Sequence, residues 1–122
     1  MGTKKKPATS FLPLTPAMFH ILLALADGEK HGYAILKEVA RRTEDQVRLS
    51  AGTLYGNLAR LESAGLIVES DERPAIGLDD ERRRYYRLTD FGREVAIAEA
   101  ERMDAALSQA RAKKLFRKPR LA

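Results

Sequence analysis

Residues 50 to 65 carry a start signal, a stop signal and a one-sided apolar pattern, and together these predict one short helix. Ser50 stands where a hydroxyl can accept from the free N–H groups of a first turn, while Leu49 and Leu54 occupy hydrophobic-staple positions on either side of it. At the far end Gly65 can take the left-handed conformation that closes a helix, with Leu66 folding back on Leu61. Wound at the helical period, Leu54, Leu58 and Leu61 fall on one narrow stripe, and Gly52, Thr53, Gly56, Arg60 and Ser63 on the other side.

That outer face is small and polar, with Arg60 its only charge. A solvated helix face would ordinarily be filled with Glu, Lys and Ala, because a mid-helix glycine costs about 1 kcal/mol against alanine. Gly52 and Gly56 are therefore read in two ways: as room for another surface to approach closely, of which a DNA groove is one, or as a tolerated defect at Gly56.

In chain order, residues 1–14 read as a flexible basic arm, with Lys4, Lys5 and Lys6 followed by proline and small residues that do not pattern as a core. Its lysines could neutralise phosphates or form a solvated tail. Thr15-Pro16 is a helix cap followed by proline at the first helical position, and Met18, Ile21, Leu22 and Leu25 then recur at helical spacing up to Asp27-Gly28. Glu29, Lys30 and His31 make a connection, with His31 read as a cap rather than a metal ligand. A second helix is expected from about Gly32 to Arg42, burying Tyr33, Leu36, Val39 and Ala40. Thr43 to Leu49 then lead into the helix at 50–65, giving the helix, turn, helix arrangement in which the second helix enters a major groove.

Residues 66–70 and 83–88 read as two antiparallel strands of a wing. Alternation puts one of Tyr85 and Tyr86 toward the core and the other outward. Between the strands lies a long loop with the acidic run Asp79-Asp80-Glu81, which argues against deep insertion into a minor groove. Arg82, Arg83 and Arg84 form either a solvated strand end or a set of flanking phosphate contacts. Thr89 caps a last and longest helix, along which Ala96, Ala100, Met103, Leu107 and Ala110 recur at four-three spacing, a seam for a second chain or for the domain itself. Residues 111–120, rich in Lys and Arg, are expected to fray.

The chain has 122 residues with 44% hydrophobic content, a formal charge of +5 and a pI near 9.7. These fit one small domain and favour a polyanionic partner without proving one. The absence of cysteine excludes disulfides, thiol catalysis and cysteine-ligated zinc, and is compatible with a reducing cytoplasm. Prolines interrupt the region after the basic start and no apolar run reaches membrane-spanning length, so neither a signal peptide nor an anchor is expected. No nucleophile elbow, Gly-rich phosphate loop or metal motif occurs, so neither an enzyme nor a cofactor is expected.

Three blocks in this order resemble the PadR-type transcriptional regulators: His31-Gly32-Tyr33-Ala-Ile-Leu36, the stretch from Gly52-Thr53-Leu54-Tyr55-Gly56 to Leu66-Ile67, and Tyr85-Tyr86-Arg87-Leu88-Thr89-Asp90-Phe91-Gly92. The fold expected is mainly α with a small two-stranded β wing, a winged helix-turn-helix with a long C-terminal dimerisation helix. Its parts are a flexible arm (1–14), the winged helix-turn-helix domain (15–88), the dimerisation helix (89–116) and a tail (117–122). The resemblance implies a repressor that binds a two-fold symmetric operator in double-stranded DNA as a homodimer through Ala96, Ala100, Met103, Leu107 and Ala110. It also allows a small hydrophobic or aromatic effector as a further partner. Ser50, Thr53, Tyr55, Gly56 and Arg60 are the expected DNA contacts of the central helix, Arg60 reading bases and Thr53 and Tyr55 touching phosphate. The alternative is a winged-helix protein-interaction module whose exposed helix face docks a protein.

Overall fold

In the computed structural model, residues 7–70 and 84–117 are described. Helix α1 (Pro16–Leu25) starts at Thr15, whose side chain accepts from the Met18 amide. A two-residue strand β1 (Lys30–His31) runs directly into α2 (Gly32–Arg42), which is capped by the His31 imidazole. Helix α3 (Ala51–Ser63) is capped by Ser50. Strands β2 (Ile67–Glu69) and β3 (Tyr85–Leu88) follow, and the 23-residue α4 (Asp90–Ala112) begins at the Thr89 cap. All four α-helices thus start on a side-chain acceptor for an amide that the helix itself cannot satisfy.

The apolar stripes meet in one core: Ile21, Leu22 and Leu25 from α1, Ile35 and Val39 from α2, and Leu54, Leu58 and Leu61 from α3. Leu66, Ile67, Tyr86 and Val95 close it from the sheet and from α4. Burying each such Leu or Ile is worth about 1.5–3 kcal/mol.

Four expectations need correction. The wing is not two-stranded: Lys30 pairs with Tyr86 and His31 with Tyr85, so the segment read as a connection is a third strand and the sheet order is β1-β3-β2, all antiparallel. The buried face of α2 is rotated from the expected one, since Gly32, Ile35, Glu38 and Val39 are buried while Tyr33 is 63% exposed. Glu38 can be buried because Lys30 Nζ lies 3.6 Å from its carboxylate and Arg42 donates to it, so the charge does not enter the core unpaired. The arm is shorter than expected, because residues 8–11 form a 3-10 turn and Phe11, Leu12 and Leu14 pack against the core. Finally, α4 ends at Ala112, with Lys114 in the left-handed region and the Leu115 amide donating to the Ala110 carbonyl at 2.9 Å.

The segment before α1 is tied to α4 by a buried carboxylate. Glu99 is 2% exposed, accepts from the Leu14 amide at 3.0 Å and pairs with Arg102 Nε at 2.5 Å, while Phe11 meets Phe91 edge-on at 5.6 Å. The Arg102 guanidinium and the Leu14 amide outweigh the effect of burial and hold the Glu99 carboxyl below its ordinary range. Tyr86 behaves oppositely: burial, reinforced by Glu69, pushes its phenol up.

Helices α3 and α4 are locked together at one joint. The Thr89 amide donates to the Leu66 carbonyl at 3.1 Å and its hydroxyl donates to the Gly65 carbonyl at 2.6 Å, while the same hydroxyl accepts from Gly92 at 2.9 Å. Gly65 has φ +82°, the left-handed closure expected of α3. Gly92 lies so close to this turn that a Cβ there would overlap the Leu66 carbonyl, so only glycine fits.

Candidate nucleic-acid interface

Helix α3 presents one satisfied face and one bare face. Leu54, Leu58 and Leu61 are buried as the apolar stripe predicts, and Asn57 joins them, its amide donating to the Thr53 carbonyl at 2.9 Å. Asn57 was not legible as buried because its amide finds a backbone partner within its own helix. On the opposite side Gly52, Thr53, Gly56 and Arg60 are all exposed. A Cβ added at Gly52 or Gly56 would meet nothing within 4 Å, so no packing inside the chain asks for glycine at either place.

The remaining expected contacts of α3 have partners of their own. Ser50 Oγ accepts from the Thr53 amide at 3.1 Å and donates to the Thr53 hydroxyl at 3.0 Å, leaving a compact hydroxyl pair at the start of the helix. Tyr55 is 47% exposed, and its phenol lies over Gly32 at the start of α2, where a Cβ would sit 2.5 Å from the hydroxyl oxygen. It therefore joins α3 to α2 as well as reaching the surface. Arg60 has no ion pair among the described residues.

On the wing, Arg84 is exposed and its Nε stands 3.8 Å from a Glu69 carboxylate oxygen, while Tyr86 points inward and Tyr85 packs edge-on against His31 at 5.3 Å. The His31 Nδ1 accepts from the Ala34 amide at 3.2 Å, the capping role expected of it. Lys4, Lys5 and Lys6, the acidic loop, Arg82 and Arg83 lie outside the described residues.

The seam of α4 divides into two parts. Ala96 packs against the chain's own core, whereas Ala100 and Leu107 are exposed and Met103 and Ala110 half-buried. The buried residues of α4 are Gly92, Val95 and Glu99, all in its first half. Ile97, 50% exposed, is a further apolar side chain on this helix that the four-three spacing passed over.

The sequence matches the Transcriptional regulator PadR-like family over residues 21–98. It is 43% identical over 83 residues to the transcriptional regulator Rv3488 of Mycobacterium tuberculosis, a match covering 68% of this chain and 70% of that one. The curated relatives it matches are covered to between 23% and 70% of their own length. Among solved structures, a transcriptional regulator from Clostridium thermocellum superposes with a TM-score of 0.63 at 28% identity, covering 83% of this chain and 90% of that one. Bacillus subtilis PadR in complex with operator DNA shares the fold with a TM-score of 0.58 at 20% identity, over 90% of this chain and 52% of that one. With three helices on a three-stranded sheet, a long helix behind them and a family match spanning most of the folded region, the chain belongs to the PadR-like family of transcriptional regulators.

Proposed function

We propose that this chain binds duplex DNA at a two-fold symmetric operator as a homodimer and represses transcription from it in the cytoplasm, with α3 in the major groove. The observation that carries this reading is the bare outer face of α3. Two mid-helix glycines cost about 1 kcal/mol each, no neighbour within the chain requires them, and they flank an unpaired arginine. A surface that must approach the helix backbone closely while meeting one cation accounts for all three features, and the floor of a major groove is such a surface. The operator complex of Bacillus subtilis PadR, whose fold this chain shares, supports the same reading.

In this reading Arg60 reads a base edge, while Ser50, Thr53 and Tyr55 position the helix on phosphates. Arg84, with Lys4 to Lys6, Arg82 and Arg83, adds sequence-independent attraction at the flanks. One short helix reads few base pairs, so useful affinity needs two copies about 34 Å apart, which the second half of α4 would set by pairing with its symmetry mate. Ala100, Met103, Leu107 and Ala110 supply that contact, and Ala96 serves the chain's own core.

Selection of binding sites from random duplexes tests all of this at once. The expected result is an inverted repeat with half-sites one helical turn apart, bound with an affinity that falls steeply as salt rises. Recovery of no common sequence, or binding indifferent to salt, would count against a DNA reader and for a helix face that docks protein.

A further inference from the structure

The α2 side of the helix-turn-helix holds an open groove of about 530 Å³ that none of the expected DNA contacts except Ser50 touches. Its floor is apolar, made by Leu36 and Ala40 of α2 and by Leu49 just before α3. Tyr33 forms one wall, the residue that periodicity assigned to the core and that stands 63% exposed instead. Two cations rim the groove. Lys37 Nζ lies 5.2 Å from the centroid of the Tyr33 ring, which favours the ammonium at this edge, and Arg48 stands opposite in the turn between α2 and α3. Asp45 is the acidic neighbour, at 3.8 Å from Arg48 Nε, but both side chains are about 70% exposed and so exchange little energy.

From this arrangement we infer that the groove seats one sugar-phosphate strand of the duplex that α3 reads, with Lys37 and Arg48 on successive phosphates and the apolar floor under the deoxyribose between them. The inference rests on the DNA-binding reading above and adds a second line of contact to it. Charge complementarity selects the occupant: no carboxylate lines the groove, and a strand of nucleic acid offers what the lining needs, anions spaced along a chain of carbon-rich sugars. Continuity selects it as well, because Ser50 both lines the groove and caps α3, so a strand lying here passes directly beside the first turn of the reading helix. Contacts of this kind carry no sequence information themselves. They fix the register in which α3 meets the bases.

The test compares wild type with Lys37→Gln/Arg48→Gln, using the duplex recovered by site selection and a scrambled duplex of equal length, each titrated from low to high salt. Both side chains are exposed, so thermal unfolding should be unchanged. Each lost phosphate contact should make the slope of log affinity against log salt shallower by about 0.9, and the two duplexes should weaken by the same factor. Lys113→Gln/Lys114→Gln, which removes the same charge beyond the end of α4, should move the slope less. If wild type shows the steep slope and Lys37→Gln/Arg48→Gln keeps it, the groove is not a strand seat, although the protein still reads DNA. A groove occupied by a protein or small ligand would give that same result. If the selected duplex alone weakens, the groove reads bases and the inference is again wrong. Salt-indifferent binding by wild type itself would remove the reading on which the inference stands.

Discussion

Helices α3 and α4 both start on hydroxyl caps and both leave part of their surface uncovered, yet they uncover opposite things. The chain already buries the apolar stripe of α3, and what remains outside is glycine, threonine and one arginine. In α4 the first half is buried, and what remains outside includes Ile97 and Leu107, at 50% and 44% exposure, followed by Leu115 and Phe116. A helix that shows no apolar surface has nothing to gain from a hydrophobic partner. A helix that shows a row of it has. The two exposed surfaces therefore suit different partners, a polar groove for α3 and an apolar helix for α4, and nearly every experiment of value separates the two.

The largest effect is expected from Leu107→Asp. If α4 pairs with its symmetry mate there, two carboxylates are buried face to face, which costs several kcal/mol and splits or distorts the dimer, abolishing operator binding without touching α3. Sedimentation should show monomer or partial unfolding. A stable dimer that binds the same operator would make α4 no different from a solvated helix. Next comes the joint between the two helices: Gly92→Ala drives a methyl into the Leu66 carbonyl and should lower folding stability by about 3 kcal/mol in denaturant unfolding. Wild-type stability would mean that α4 can shift away from α3 freely.

On α3 itself, Arg60→Ala should weaken specific binding by about 1–3 kcal/mol and relax discrimination at one position per half-site, with folding unchanged. Equal wild-type affinities for cognate and scrambled duplexes would reduce Arg60 to a surface residue. Gly56→Ala separates stability from binding more sharply. It should raise folding stability by about 1 kcal/mol, because nothing opposes the added methyl within the chain, and yet weaken DNA binding. A variant that is both more stable and equally avid would leave the glycine as a plain defect.

The smallest effect concerns acid. The Glu99 carboxyl is held below its ordinary value near 4.5 in the folded chain, so its contribution is complete at neutral pH and declines as pH falls through the folded value. Wild type should therefore lose slightly more stability than Glu99→Gln between pH 6 and pH 4. Parallel pH profiles for the two proteins would show that the tie to Leu14 and Arg102 does not depend on charge.

What the sequence showed and what it hid divide along the distance over which residues act. The caps at Thr15, His31, Ser50 and Thr89 were legible because a cap reaches only three residues ahead, and so was the left-handed close at Gly65. Strand β1 was not, since two residues have no alternation to read and their partners lie at Tyr85 and Tyr86. The face of α2 was misplaced because a glutamate scores as solvent-seeking until Lys30 and Arg42 are known to meet it. The fold of residues 8–14 was hidden for a similar reason: the acceptor for the Leu14 amide is 85 positions away. At the site, the glycines of α3 announced themselves, whereas the groove beside them depends on a tyrosine whose exposure only the packed α2 reveals.

The Thr89 joint has a mechanical consequence. Three hydrogen bonds and a glycine contact weld the end of α3 to the start of a rod of 23 residues, about 35 Å long, so the two helices can only swing together. Pivoting that rod by about 10° at its far end carries the joint, and α3 with it, through about 6 Å. This stroke is nearly two steps along a DNA strand at about 3.4 Å each, enough to take a reading helix out of register without bending anything inside its own domain.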